Sequence, residues 1–197
     1  MPYLSPLSKI ADKLILLSAS FSILLLSTFA ACGKKDIFAP PAFPAATQTG
    51  ANTMAAVVNN KQFIVYELPG SVRASLISSY VDHIFTLSGD DPSTEFSGLI
   101  TINLYNINGT GSYKLMNQNG FRGNNWAQLG LANTAGQFNY LTDSRHTGTV
   151  IITRFDTINH IISGTFTMMP KLYIGSASDT TAIVNNGRFD VTYQLPH

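Results

Sequence analysis

Asp143-Ser144-Arg145-His146 places a carboxylate, a hydroxyl and an imidazole within four residues, the three side-chain types a nucleophilic hydrolase needs. A triad works only when the base lies between nucleophile and carboxylate in space. Neighbours on one loop do not reach that geometry by adjacency, and no Gly-x-Ser-x-Gly elbow occurs in the chain. The cluster therefore reads as a polar loop between strands. His83 shares a strand face with Phe85 and Leu87, as a hydrogen-bonded core or edge histidine would, and His160 falls in a predicted turn open to water. No catalytic set is assembled, and the chain reads as a non-enzyme.

Metal chemistry is equally sparse. The four histidines (83, 146, 160 and 197) show no close pairing, so zinc is not expected. Asp90, Asp91 and Glu95 bring three carboxylates into six residues beside Gly89 and Pro92, a weak candidate for Ca²⁺ with its preference for hard oxygens. Regular ligand spacing is missing, and a solvated acidic turn is the simpler reading. Gly109-Thr110-Gly111 lacks the third glycine and the following helix of a phosphate cradle, and is read as a turn. No cofactor is implied.

Trp126 offers binding rather than catalysis. Around it Ala127, Leu129 and Leu131 form the apolar set, which places Trp126 on the opposite strand face with Gln128. An indole beside amide side chains suits stacking on a carbohydrate or recognition of a partner, and Arg122 and Asn124 are near enough in sequence to join it. The competing reading is structural, with a bulge or a covering layer returning the ring to a core.

These candidates must be positioned by strands. From Asn52 onward, short runs of Val, Ile, Thr, Phe and Tyr are separated every 8 to 12 residues by Gly, Asn, Asp or Pro. Ile100, Ile102 and Leu104 alternate with Thr101 and Asn103; Phe189, Val191 and Tyr193 alternate with Arg188, Asp190 and Thr192; Ile162, Gly164, Phe166 and Met168 share one face. Asn59-Asn60 predicts a tight hairpin, and residues 106–111, 156–160 and 185–187 predict further reversals. Residues 71–80 fit both a helix and a strand and are read as a strand. The expected fold is all-β, an antiparallel β-sandwich or a closed, lipocalin-like β-barrel of about nine or ten strands.

Ahead of this domain, Lys9 and Lys13 precede an uncharged run from Leu14 to Ala31, a basic segment followed by an apolar one, as in an export signal. An uncleaved anchor is the alternative, because the run is near the shortest length that spans a bilayer. Phe29-Ala30-Ala31-Cys32 ends the run at the only cysteine in the chain and resembles the lipobox of bacterial lipoproteins. That resemblance implies cleavage after Ala31 and a diacylglycerol on Cys32, which would also account for a lone cysteine in an exported chain.

The expected organisation is a signal peptide over 1–31, a lipidated N-terminus and Pro/Ala-rich tether over 32–51 and an all-β domain over 52–197. Without residues 1–31 the chain holds ten basic and ten acidic residues, a neutrality that disfavours nucleic acid as a partner.

Five segments, 53–63, 111–115, 148–156, 162–166 and 186–191, resemble in order and spacing an uncharacterised lipoprotein domain family of Bacteroidetes. Asn60 stands where that family usually has a turn glycine, and Phe63 where it often has tryptophan. The resemblance implies a lipid-anchored β domain and carries no catalytic residues. The function expected from sequence is a cell-envelope lipoprotein held on a membrane, the outer membrane being favoured, that binds a glycan, peptide, small apolar ligand or envelope protein. The alternative is an assembly accessory docked on a larger envelope complex.

Overall fold

The structure is a computed structural model that describes residues 42–65, 71–78, 83–92, 97–117, 123–173 and 179–195. Among these residues there are twelve strands and no helix. In chain order they are β1 (Thr53–Val58), β2 (Lys61–Val65), β3 (Val72–Ser78), β4 (His83–Pro92), β5 (Ser97–Tyr105) and β6 (Gly111–Leu115), then β7 (Trp126–Asn133), β8 (Gly136–Leu141), β9 (Gly148–Asp156), β10 (Ile161–Met168), β11 (Lys171–Leu172) and β12 (Val184–Thr192). They build two antiparallel sheets of six strands, ordered β2-β1-β12-β10-β9-β6 and β11-β8-β7-β5-β4-β3.

Period-two patterning decides which face of each strand is buried. Ile100, Ile102 and Leu104 of β5 and Ala127 and Leu129 of β7 are fully buried, as are Ile162 of β10 and Val191 of β12. The inner faces of the two sheets share one hydrophobic cluster. Phe85 of the second sheet lies 6.3 Å from Phe189 of the first, which in turn lies 6.5 Å from Phe166. This is a sandwich and not the closed barrel alternative. The chain passes between sheets by loops, such as the one after β5 that buries Ile107, and each sheet keeps its own edge strands. The strand total exceeds the nine or ten expected, because pieces as short as the two-residue β11 leave no periodic signal.

Local turn chemistry follows residue type. Asn59 and Asn60 adopt φ of 47° and 66°, the left-handed pair that a two-residue hairpin needs to follow the strand twist. The 156–160 reversal closes at His160, whose φ is 55°. Its ring stands 5.2 Å from that of Tyr193, so His160 is half-buried against an aromatic and not solvated as expected. His83 is exposed at the start of β4, with Nδ1 3.0 Å from the Ser78 hydroxyl across the hairpin.

Two expected reversals are corrected. Residues 185–187 do not turn the chain: they lie inside β12, where Asn186 at φ 50° marks the register shift against both β1 and β10. Asparagine tolerates the positive φ of such a bulge, which gives the same sequence signal as a hairpin. Asp90 and Asp91 are likewise not in a loop but in β4, paired with Leu99 and Gly98.

The last strand feeds a closing segment. Gln194 bridges β3 in parallel: the Leu76 amide donates to the Gln194 carbonyl at 2.9 Å, and the Gln194 amide to the Ala74 carbonyl at 2.9 Å. The outer edge of β3 is thereby bridged at Ala74 and Leu76.

Residues 42–52, most of them within the expected tether, have no regular secondary structure but are fastened along the outer face of the first sheet as a strap. The Arg188 guanidinium stacks 4.4 Å from the Phe43 ring centroid and donates to the Pro44 carbonyl at 2.8 Å. The Arg154 guanidinium donates to the Gln48 carbonyl. At the far end the Thr192 amide donates to Asn52 Oδ1 at 2.9 Å. The strap therefore runs alongside β12 from Arg188 to Thr192, turns at Gly50 and Asn52, both at positive φ, and returns as β1.

Candidate ligand-binding site

The centre of the strap is a buried carboxylate. Asp190, 1% exposed, points to the outer face of β12 and accepts from the Thr47 hydroxyl at 2.6 Å and the Ser163 hydroxyl at 2.7 Å. It also accepts from the amides of Thr49 and Gly50, each at 2.8 Å, and of Ala51 at 3.2 Å. Burial pushes the carboxyl up, but the hydrogen bonds from Thr47, Ser163, Thr49 and Gly50 outweigh it and hold Asp190 well below the usual carboxylate range. Sequence alternation puts Asp190 on the outward face, where it reads as solvated. What the pattern does not reveal is that a segment 140 residues away in sequence covers it. The cleft left between strap and sheet is small, about 120 Å³, below the usual range for a small-molecule site.

A second polar surface lies on the outer face of the second sheet. Trp126 and Gln128 both point outward from β7, and both are half-buried. β7 is held in register by Thr142: the Ala127 amide donates to its hydroxyl at 2.9 Å, and the Thr142 amide donates to the Ala127 carbonyl at 3.0 Å. Across the sheet Trp126 pairs with Asn103, and Gln128 with Thr101. The Thr86 hydroxyl donates to Asn103 Oδ1 at 2.8 Å, and the Ser88 and Thr101 hydroxyls lie 3.1 Å apart. Gln128 Nε2 donates to Asn139 Oδ1 at 3.3 Å.

Further along β7 this face dips into a shallow groove of about 270 Å³. Its floor is Gly130 and Ala132, and Leu99, Gln137, Asn139 and Asp90 flank it. Gly130 gives the groove its depth, since a β-carbon there would meet only ordinary contacts, the nearest at 3.5 Å from Asn139 Oδ1. The face thus offers an aromatic plate at Trp126, a row of amides and hydroxyls held by mutual hydrogen bonds, and a small-residue trough.

The remaining candidates fall elsewhere. Asn124 is half-buried two residues before Trp126, and Arg122 lies outside the described residues. Asp90 and Asp91 alternate, so Asp90 is exposed on the outer face while Asp91 turns inward and accepts the Ile64 amide at 3.0 Å. The two carboxylates do not converge on one point, and Glu95 lies outside the described residues. Among the described residues no group of three metal-binding side chains occurs.

Asp143 and His146 do meet, with His146 Nδ1 at 3.0 Å from both carboxylate oxygens. Oδ1 also accepts the amides of Arg145 and His146, at 2.7 and 2.6 Å, so the carboxylate caps its own turn. Desolvation raises the Asp143 carboxyl, but the amide and ring of His146 and the amide of Arg145 overcome that and lower it to about 2.

Comparison of the chain with protein-family models, with curated proteins and with solved structures finds no match, so the reading of the site rests on its own geometry.

Proposed function

We propose that this protein is a non-catalytic binding domain, tethered to a membrane of the cell envelope through lipidated Cys32, whose ligand is a glycan. The observation that carries the reading is the outer face of the second sheet, where Trp126 lies across from Asn103 and in line with Gln128, which is flanked by Thr101 and bonded to Asn139. A sugar ring presents an apolar C–H face and a rim of hydroxyls. An indole plate complements the first, and amides and hydroxyls that both donate and accept complement the second.

The test is glycan-array binding by the full chain, with Trp126→Ala beside it. Loss of the indole should weaken binding by about 30-fold, equivalent to ~2 kcal/mol for a central aromatic contact. The melting temperature should move little, because the ring lies outside the core cluster. Equal binding by wild type and variant, or no glycan bound at all, would refute the assignment.

The tethering is tested separately, by mass spectrometry of the N-terminus of the membrane-fraction protein. The expected product begins at Cys32 and carries acyl mass, and Cys32→Ala should abolish both. An unprocessed N-terminus with a free thiol would remove the anchor.

A further inference from the structure

The strap is built more firmly than a passive linker requires. Three consecutive amides, from Thr49, Gly50 and Ala51, converge on the carboxylate of Asp190, with the Thr47 hydroxyl completing the grip. Arg154 and Arg188 hold the carbonyls of Gln48 and Pro44. Gly50 is fitted to the sheet: a β-carbon there would lie 2.8 Å from the Thr192 hydroxyl and 3.1 Å from Ile161, at a φ of +77° that side chains resist.

We infer that Asp190 and the strap form a latch that sets how much of the chain serves as tether between the domain and its anchor. The inference rests on the anchoring at Cys32 proposed above. Opening the latch releases residues 42–51, ten residues, into the tether. At a limit of roughly 3.5 Å per residue, that release adds up to about 35 Å of reach. The hydrogen bonds that hold the strap run to Asp190, Arg154, Arg188 and Thr192, all on the first sheet.

The experiment uses the full chain on a supported bilayer and reads two quantities, amide hydrogen exchange at residues 49–51 and the height of the protein layer by neutron reflectometry. Two variants are compared with wild type. Asp190→Ala removes the acceptor, and Gly50→Val blocks docking from the strap side without altering any sheet residue. Both should lose protection at 49–51 while β10 and β12 stay protected, and both should move the layer outward. Absence of wild-type protein from the bilayer overturns the anchor and the leash with it. Bilayer-bound protein whose exchange and height are unchanged by Gly50→Val overturns the latch alone.

Discussion

Replacing Gly164 with alanine should lower the melting temperature by about 6–12 °C, the consequence of a ~3 kcal/mol loss in a domain of this size. Gly164 sits on the inner face of β10, just past the register shift against β9. A β-carbon there would lie 2.3 Å from the Ile151 carbonyl oxygen and 2.9 Å from Cζ of Phe189. The ring could yield by changing rotamer, but the carbonyl belongs to the neighbouring strand and moves only if β9 and β10 separate. Phe189 in turn packs on Phe85 and Phe166, so any displacement spreads through the centre of the core. Gly130→Ala is the matched control, because the same added atom meets nothing closer than 3.5 Å. Calorimetry or circular dichroism melts of the three proteins decide the matter. A Gly164→Ala protein that melts with wild type would mean that the β9–β10 pairing is not as described.

The second large effect is the acid response carried by Asp190. Its carboxyl is held down in the folded protein, so the unfolded chain, with a carboxyl near 3.9, takes up its proton first as the pH falls. The stabilisation is complete above about pH 5 and is lost progressively through pH 4 and below as acid reaches the folded carboxylate. Asp190→Asn keeps the shape, removes the charge and leaves one amide nitrogen facing N–H donors. It should cost about 2–4 kcal/mol at neutral pH, because it breaks charge-assisted bonds to a buried group. It should also flatten the melting profile between pH 5 and 3. Melts across that range check both statements, and a variant with the wild-type slope would show that Asp190 does not carry the acid response.

The parts of the fold that were legible in the sequence obey strict alternation. Ile100, Ile102 and Leu104 of β5, Ile162, Phe166 and Met168 of β10 and Phe189 and Val191 of β12 point inward as the period-two pattern requires, and Asn59-Asn60 makes the expected hairpin. Trp126 and Gln128 share the outward face for the same reason: β7 pairs without interruption from Trp126 to Ala132 against β5.

What the sequence left unread depends on partners distant along the chain. Asn186 signals positive φ, and whether that becomes a turn or a bulge is decided by strands on either side of β12. Asp90 and Asp91 carry turn-forming residue types, yet pairing with β5 draws them into a strand and sends them to opposite faces. The strap escaped for the most physical reason. Proline, alanine and threonine have no periodicity to betray a docked segment, and the group that captures them lies near the other end of the sequence.

The bridge between Gln194 and β3 bears on how these molecules behave when crowded. An edge strand with bare amides and carbonyls is a template on which another copy can polymerise, and molecules concentrated on a surface meet often. By filling the Leu76 and Ala74 positions from within, the C-terminal segment acts as a guard against fibre growth along that rim. Resistance to growth along that rim is then carried by Gln194, a residue that belongs to none of the twelve strands.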